Sequence, residues 1–204
     1  MSRLRRLVVA YRGPLNADVW QQIRYLAVIT IRPAKSSDAA SLAAIAERTF
    51  RETFATDNSE DNINLHCARK FSAEIQGEEI SDPQLTTLLA EVTGELVGFA
   101  QLRLAHPAAC VKGDRPAELH RIYVLSEWHG RGVGNELLRA VHAAATRAGS
   151  DCIWLGVWER NLKAIAFYRK CGFAVVGDHS FVLGQDPQRD LILAAQVDSL
   201  SSVA

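Results

Sequence analysis

Apolar positions change period several times along the chain, and each change marks an element. Leu42, Ile45, Ala46, Thr49, Phe50 and Phe54 recur at three- and four-residue steps, the stripe of an amphipathic helix. Ser36, Ser37 and Asp38 stand before it as capping residues. Asp57-Asn58-Ser59 interrupts the stripe. Ser59, followed by Glu60 and Asp61, opens a second helix carrying Ile63, Cys67 and Phe71, and Ser72 opens a third that ends near Asp82-Pro83. A short strand over 30–33 precedes the three. Residues 85–92 and 96–104 read as two strands joined by the turn Thr93-Gly94-Glu95.

The pattern is clearest over 118–149. Ile122 and Val124 alternate with Arg121 and Tyr123 at strand period. Gly130, Gly132 and Gly134 follow, and Val133, Leu137, Val141, Ala144, Ala145 and Ala148 then form a helical stripe that Gly149 stops. Residues 151–157 form an apolar, buried strand, 161–171 a helix closed by Gly172, 173–176 the start of another strand, and 189–196 the last. With no internal repeat and no low-complexity linker, residues 28–204 read as one α/β domain. Residues 1–27 read as an N-terminal arm, helical through Leu15, Val19, Ile23 and Leu26, or else disordered.

Composition narrows the class. No apolar run approaches the roughly 20 residues of a membrane span. Cys67, Cys110, Cys152 and Cys171 are scattered without metal-ligand or disulfide-framework spacing. They read as reduced thiols of a cytoplasmic protein, with Cys152 and Cys171 in the core and no metal site. The formal net charge is zero, but five arginines and one acid fall in residues 1–27. From Glu47 to Asp82 nine acids face four bases. That run is either a solvated face or a wall attracting a cationic substrate. No basic stripe outside the arm suggests nucleic acid.

The glycine cluster carries the first candidate chemistry. Glycine at a helix start leaves no Cβ to hold a ligand from the backbone, and it allows positive φ. The first helical turn has unpaired N–H donors and the positive end of the macrodipole, which suits phosphate or pyrophosphate. A tight turn without a ligand is the plainer alternative. The pattern is not a P-loop, since no Lys-Ser/Thr follows, nor a clean dinucleotide fingerprint. A second constellation lies on the helix after the buried strand, where Asn161, Ala164 and Tyr168 share one face by their three- and four-residue spacing.

Three segments together resemble the GNAT superfamily of acyl-CoA-dependent N-acetyltransferases. They are Arg121-Ile-Tyr-Val, His129-Gly-Arg-Gly-Val-Gly134 and Asn161-Leu-Lys-Ala-Ile-Ala-Phe-Tyr-Arg-Lys-Cys-Gly-Phe173. A narrower likeness, to bacterial polyamine acetyltransferases of the PaiA type, rests on Phe50-Arg-Glu-Thr-Phe54 with Asn58, Phe71-Ser-Ala-Glu74, Ile153-Trp-Leu-Gly-Val-Trp-Glu159 and His179-Ser-Phe181. The resemblance runs from about residue 30 to the end and implies a mixed sheet of about seven strands, splayed in the middle and flanked by four or five helices. It implies acetyl-CoA as cosubstrate. His129, Gly130, Arg131, Gly132, Val133, Gly134 and Asn135 would hold the pyrophosphate. The backbone of Ile122, Tyr123 and Val124 would pair with the pantetheine arm. Asn161 and Ala164 would lie against the cofactor, and Tyr168 would protonate the leaving thiolate. His129 departs from the Gln or Arg usual at its position, which implies weaker or pH-dependent anchoring unless Arg131 supplies the charge.

The implied reaction is direct attack by a free amine on the thioester, so a base must take the ammonium proton. Glu118 is the first candidate and His120 the second, both on one side of the strand by alternation. The acceptor would be a primary amine, a polyamine such as spermidine or spermine by the narrower likeness. An amino acid or a protein N-terminus stays open, as does a non-catalytic CoA-binding regulator. No membrane or nucleic-acid partner is expected, and a homodimer stays open.

Overall fold

In the computed structural model, which describes residues 28–197, the alternating runs become strands and the stripes helices. The chain runs β1 (Ile29–Pro33), α1 (Ala39–Phe54), α2 (Glu60–Lys70), α3 (Ala73–Ser81), β2 (Leu85–Val92), β3 (Glu95–Arg103) and β4 (Pro116–Val124). It continues through α4 (Val133–Arg147), β5 (Cys152–Trp158), α5 (Leu162–Lys170), β6 (Ala174–Leu183) and β7 (Asp186–Gln196). The expected arm lies outside the described residues.

Local chemistry sets the helix starts. A 3-10 turn at Ser36–Asp38 leads into α1. The Asp38 carboxylate accepts the Lys35 N–H and pairs with Arg32 at 2.7 Å. The Ser59 and Ser72 hydroxyls accept the N–H groups of Asn62 and Ile75, capping α2 and α3, each such cap being worth about 1 kcal/mol. On α4 the stripe becomes a buried face of Val133, Leu137, Leu138, Val141, Ala144 and Ala145. Burying each Val or Leu contributes about 1.5–3 kcal/mol.

All seven strands form one sheet in the order β1-β2-β3-β4-β5-β7-β6. β4 and β5 are its one parallel pair, and they touch over only three registered positions, from Pro116↔Cys152 to Glu118↔Trp154. Beyond these the strands part. The helices divide between two faces. α4 and α5 pack with Leu119, Ile153, Leu155 and Leu193 in one core, against which Ile122 and Val124 rest. On the other face α1 and α2 pack with Leu89 and Phe99 in a second core, against which Tyr123 and Phe181 rest. Cys67 is buried, as are Cys152 and Cys171, and all four cysteines are free.

Three expectations change. The last two strands are longer than periodicity indicates, because β6 and β7 form one hairpin turned at Gly184-Gln185. β4 starts at Pro116, two residues before the 118–149 stretch in which its strand is expected. The acidic run is also not one free wall: Glu47 pairs with Arg51, Glu52 with Arg48, and Glu79 with Arg121.

Gly98 is the tightest point between β3 and β4. A Cβ there would lie 2.7 Å from the Tyr123 carbonyl oxygen and 3.2 Å from the Val124 side chain. Backbone cannot swing away as a side chain can, so Gly98→Ala is expected to lower unfolding free energy by about 1–3 kcal/mol. Urea denaturation measures that loss, and titration with CoA should show weaker binding because β4 itself is displaced.

Candidate active site

The parting of β4 and β5 creates an edge inside the sheet. Residues 119–124 of β4 have no Cα partner on β5, although β3 pairs with the strand's other side. Backbone N–H and C=O groups facing such a gap need partners, and an extended ligand arm can supply them by adding itself as a strand. Ile122, Tyr123 and Val124 stand along this edge.

The glycine turn lies at the end of β4. Gly130 and Gly132 take φ of 72° and 87°, a region that a Cβ disfavours. Gly132 is the N-cap of α4, without a side-chain cap. The first intrahelical bond at this end runs from the Glu136 N–H to the Gly132 carbonyl at 3.0 Å. The N–H groups of Val133, Gly134 and Asn135 therefore precede the helix's own acceptors and point outward. Gly134 serves packing, since a Cβ there would lie 3.6 Å from the Phe167 ring of α5. The Arg131 guanidinium lies 5.3 Å from the Trp128 ring centre, and both belong to the turn. His129 turns back, its Nε2–H donating to the Val124 carbonyl at 2.8 Å. Orphan donors, positive φ and a free strand edge fit a CoA along β4 with its pyrophosphate on the turn.

Helix α5 supplies the second constellation. The Asn161 carboxamide oxygen accepts the Ala164 N–H at 3.1 Å, so this residue is the helix cap, and its amide nitrogen makes no hydrogen bond among the described residues. Tyr168 is 7% exposed, between Phe167 and Phe173. Burial, with the nearby Tyr123 and Cys171, raises its pKa far above the ordinary phenol value. Burial likewise pushes Tyr123 up to about 12. Both phenols keep their protons at neutral pH.

Glu118 and His120 are brought together, for a reason alternation does not give. β4 has a bulge: Gln101 pairs with Arg121 and Leu102 with Leu119, which leaves His120 without a β3 partner. A straight strand would put Glu118 and His120 on the face of Ile122 and Val124. Instead they join Arg121 and Tyr123 on the α1–α3 face, where both meet Arg103. Glu118 pairs with Arg103 at 2.7 Å and lies 3.4 Å from His120 Nδ1 and 3.7 Å from His106 Nε2. Arg103 Nη2 also faces His120 Nε2 at 3.2 Å. Arginine only donates, so His120 Nε2 is the acceptor and the proton sits on Nδ1, toward Glu118. Burial would raise the Glu118 pKa, but the His120 hydrogen bond and the Arg103 charge outweigh it and hold it below the ordinary value. Burial lowers that of His120, which is neutral at pH 7.

The same face carries groups that periodicity did not single out. Phe50 stacks on His66 at 4.3 Å, and Phe54 lies 6.0 Å from Trp158. Burial, then Arg121 and Lys70, push His66 down to about 4. On β7, Asp190 is registered beside Trp158 and His179. Its Oδ1 is buried with no hydrogen-bond partner among the described residues, and its Oδ2 lies 3.9 Å from His179 Nε2. Burial pushes Asp190 up to about 6, with His179 offsetting part of that. Its sequence signal was an acid two residues before Ile192 and four before Ala194, a charge in phase with inward apolar positions.

A sheet opened between two parallel strands, with a phosphate-type turn closing one end, defines an acyl-CoA-dependent acyltransferase. The chain belongs to the Acetyltransferase (GNAT) family, whose model matches residues 40–173, and it is an acetyl-CoA-dependent N-acetyltransferase. It is 32% identical over 162 residues to an uncharacterised N-acetyltransferase of Mycobacterium bovis, covering 79% of this chain and 99% of that one. It is 28% identical over 151 residues to a spermidine N(1)-acetyltransferase of Thermoplasma acidophilum, covering 72% and 89%. The crystal structure of PaiA N-acetyltransferase from the same organism, in complex with coenzyme A, superimposes with a TM-score of 0.68 at 26% identity, covering 83% and 99%.

Proposed function

We propose that the acceptor is a primary amine of a polyamine. The observation that carries this reading is the charge balance on the open face of the sheet. The cations Arg103 and Arg121 are each already closed by a carboxylate, Glu118 and Glu79. Neither advertises for an acidic acceptor. Among the described residues Asp190 has no Arg or Lys partner, and it stands among Tyr123, Trp158 and, through Trp158, Phe54, surfaces that favour a cation. The similarity to a spermidine N(1)-acetyltransferase supports the same substrate class.

In this reading the N–H groups of residues 133–135, with the turn from His129, hold the pyrophosphate. Ile122, Tyr123 and Val124 hydrogen-bond the pantetheine arm, with Asn161 and Ala164 against it. Acetyl-CoA supplies the acetyl thioester. The bulged strand offers backbone N–H groups to the developing oxyanion, and the Tyr168 hydroxyl faces the departing sulfur. The amine enters from the α1–α2 side and attacks directly, so no covalent enzyme nucleophile is required.

The test is CoA release with acetyl-CoA and a panel of spermidine, spermine, putrescine, lysine, short peptides and an aminoglycoside. Saturable turnover on spermidine or spermine is the expected result. Turnover confined to lysine or peptides would overturn the polyamine assignment and leave the acetyltransferase intact.

A further inference from the structure

From the geometry of the β5–β7 wall we propose that Asp190 binds the acceptor ammonium and is the base that takes its proton, with His179 as the exit to solvent. The proposal rests on the reading that an amine attacks within the gap.

The placement comes first. Past Glu118 and Trp154 the strands diverge, so Gly156 and Trp158 of β5 face the opening. Gly156 is exposed in an otherwise buried strand. A Cβ there would lie 3.1 Å from His179 Nε2 and 3.5 Å from Asp190 Oδ2, so those side chains reach across the glycine. Asp190 is thus at the gap and only 14% exposed, while His179 beside it is 43% exposed.

The second observation is a missing partner. Of the half-buried carboxylates on β4, α3 and β2, Glu118 holds Arg103, Glu79 holds Arg121, and Glu91 shares Arg32 with Asp38, which precedes α1. Asp190 has a buried oxygen with no donor among the described residues. A buried carboxylate without a cation is costly, and a site retains one when a ligand supplies the donor. A primary ammonium supplies a charge and three N–H groups in one small head.

Chemistry separates Asp190 from the two β4 candidates. Glu118 already faces a guanidinium, which favours its ionised form and weakens it as a base. The His120 lone pair at Nε2 is directed at the same guanidinium. Close to Asp190 stand His179 on β6 and Tyr123 on β4, and the Arg160 guanidinium lies 5.8 Å from the ring centre of Trp158, the residue registered beside it. Burial brings Asp190 toward the operating pH, where a base is most effective.

The protons balance. Asp190 takes one proton from the ammonium and passes it through His179 to water. The freed nitrogen lone pair forms the C–N bond as the C–S bond breaks. The Tyr168 hydroxyl proton goes to sulfur, and the second nitrogen proton, acidified by bonding to carbonyl carbon, restores the phenol. The products are amide, free thiol and one released proton.

Asp190→Asn keeps size and hydrogen bonding but removes the base. Measured on spermidine at saturating acetyl-CoA, kcat is expected to fall about a hundredfold. The acidic limb of the kcat/KM profile, with a midpoint about 6, should disappear. The remaining rate should climb with pH as free amine accumulates in solution. CoA affinity should hold, and Tm should stay level or rise, because removing an unpaired buried charge relieves the fold; a merely structural aspartate would lower it. His179→Gln should slow the reaction less. If Asp190→Asn turns over at the wild-type rate, or keeps the limb while Glu118→Gln loses it, the assignment is overturned. Wild-type protein that acetylates no amine would instead sink the underlying reading, so the two failures are distinguishable.

Discussion

Replacing Tyr168 with Phe is expected to lower kcat by about 10²–10³-fold, the range of a lost general acid, with CoA affinity within about twofold. The separation follows from geometry. In the proposed reading, CoA affinity rests on the turn after β4 and on the β4 backbone, which a missing hydroxyl does not reach. The ring of Tyr168 is held by Phe167 and Phe173 on its own segment, and Phe fills the same volume. Melting temperature should therefore hold. Burial keeps the Tyr168 proton in place at working pH, so it acts as a donor in the ground state and no alkaline limb from its ionisation is expected near neutrality. Single-turnover kinetics with CoA release as readout would check this. An unchanged chemical step would remove Tyr168 from the reaction and leave it a core aromatic.

Sequence legibility followed how much each element contrasts with its surroundings. β2 and β3 each bury most of their length and are punctuated by Gly94, and α4 has a clean stripe between Gly132 and Gly149, so both were readable. β6 is a sheet edge, exposed or half-exposed at nearly every position, and it has a bulge between Val175 and Gly177. No alternation survives there, and the hairpin with β7 went only half seen. Asp190 was hidden for the same reason, because its neighbour His179 is set by that hairpin's register and Trp158 by the pairing of β5 with β7.

The candidate site was legible where it depends on backbone conformation and obscure where it depends on charge pairing. The glycine turn and the shared helical face of Asn161 and Tyr168 were readable from spacing, but their roles toward a cofactor came only from the resemblance. The bulge at His120 has no glycine to mark it, so the face of Glu118 was not derivable. The acidic helices read as a possible cation-attracting wall, yet pairs such as Arg48–Glu52 and Arg51–Glu47 close much of that charge on the helix itself. Exposed pairs of this kind contribute only tenths of a kcal/mol. They matter here because they leave the open face less acidic than the residue count implies, which gives the buried Asp190, without an Arg or Lys among the described residues, more weight.

The buried pair Arg121–Glu79 is different in kind, and its rupture should produce the largest loss of stability. Arg121 Nη1 donates to Glu79 Oε2 at 2.6 Å and to Gln101 Oε1 at 2.7 Å, while Gln101 Nε2 donates to Glu79 at 2.9 Å. The side chains of Arg121 and Glu79 are 9% and 19% exposed, Gln101 is fully buried, and the guanidinium lies 5.4 Å from the Phe71 ring centre. Arg121→Ala strands a carboxylate and an amide oxygen together, a loss of about 3–5 kcal/mol in urea denaturation at pH 7. The double change Arg121→Met with Glu79→Met should recover much of it, since no charge is then left alone. The pH dependence supplies the sign. Burial opposes the Glu79 carboxylate, but the charge and hydrogen bond of Arg121, with Gln101, outweigh it, so its folded pKa lies below the unfolded value. Its stabilising contribution is therefore present above the unfolded pKa and is lost as pH falls through the folded one. Without Arg121 burial prevails, the folded pKa rises above the unfolded value, and acidification stabilises the variant relative to wild type. The two stability curves should converge as pH falls through the carboxylate range; a difference independent of pH would mean that packing on Phe71, not the ion pair, holds α3 to β4.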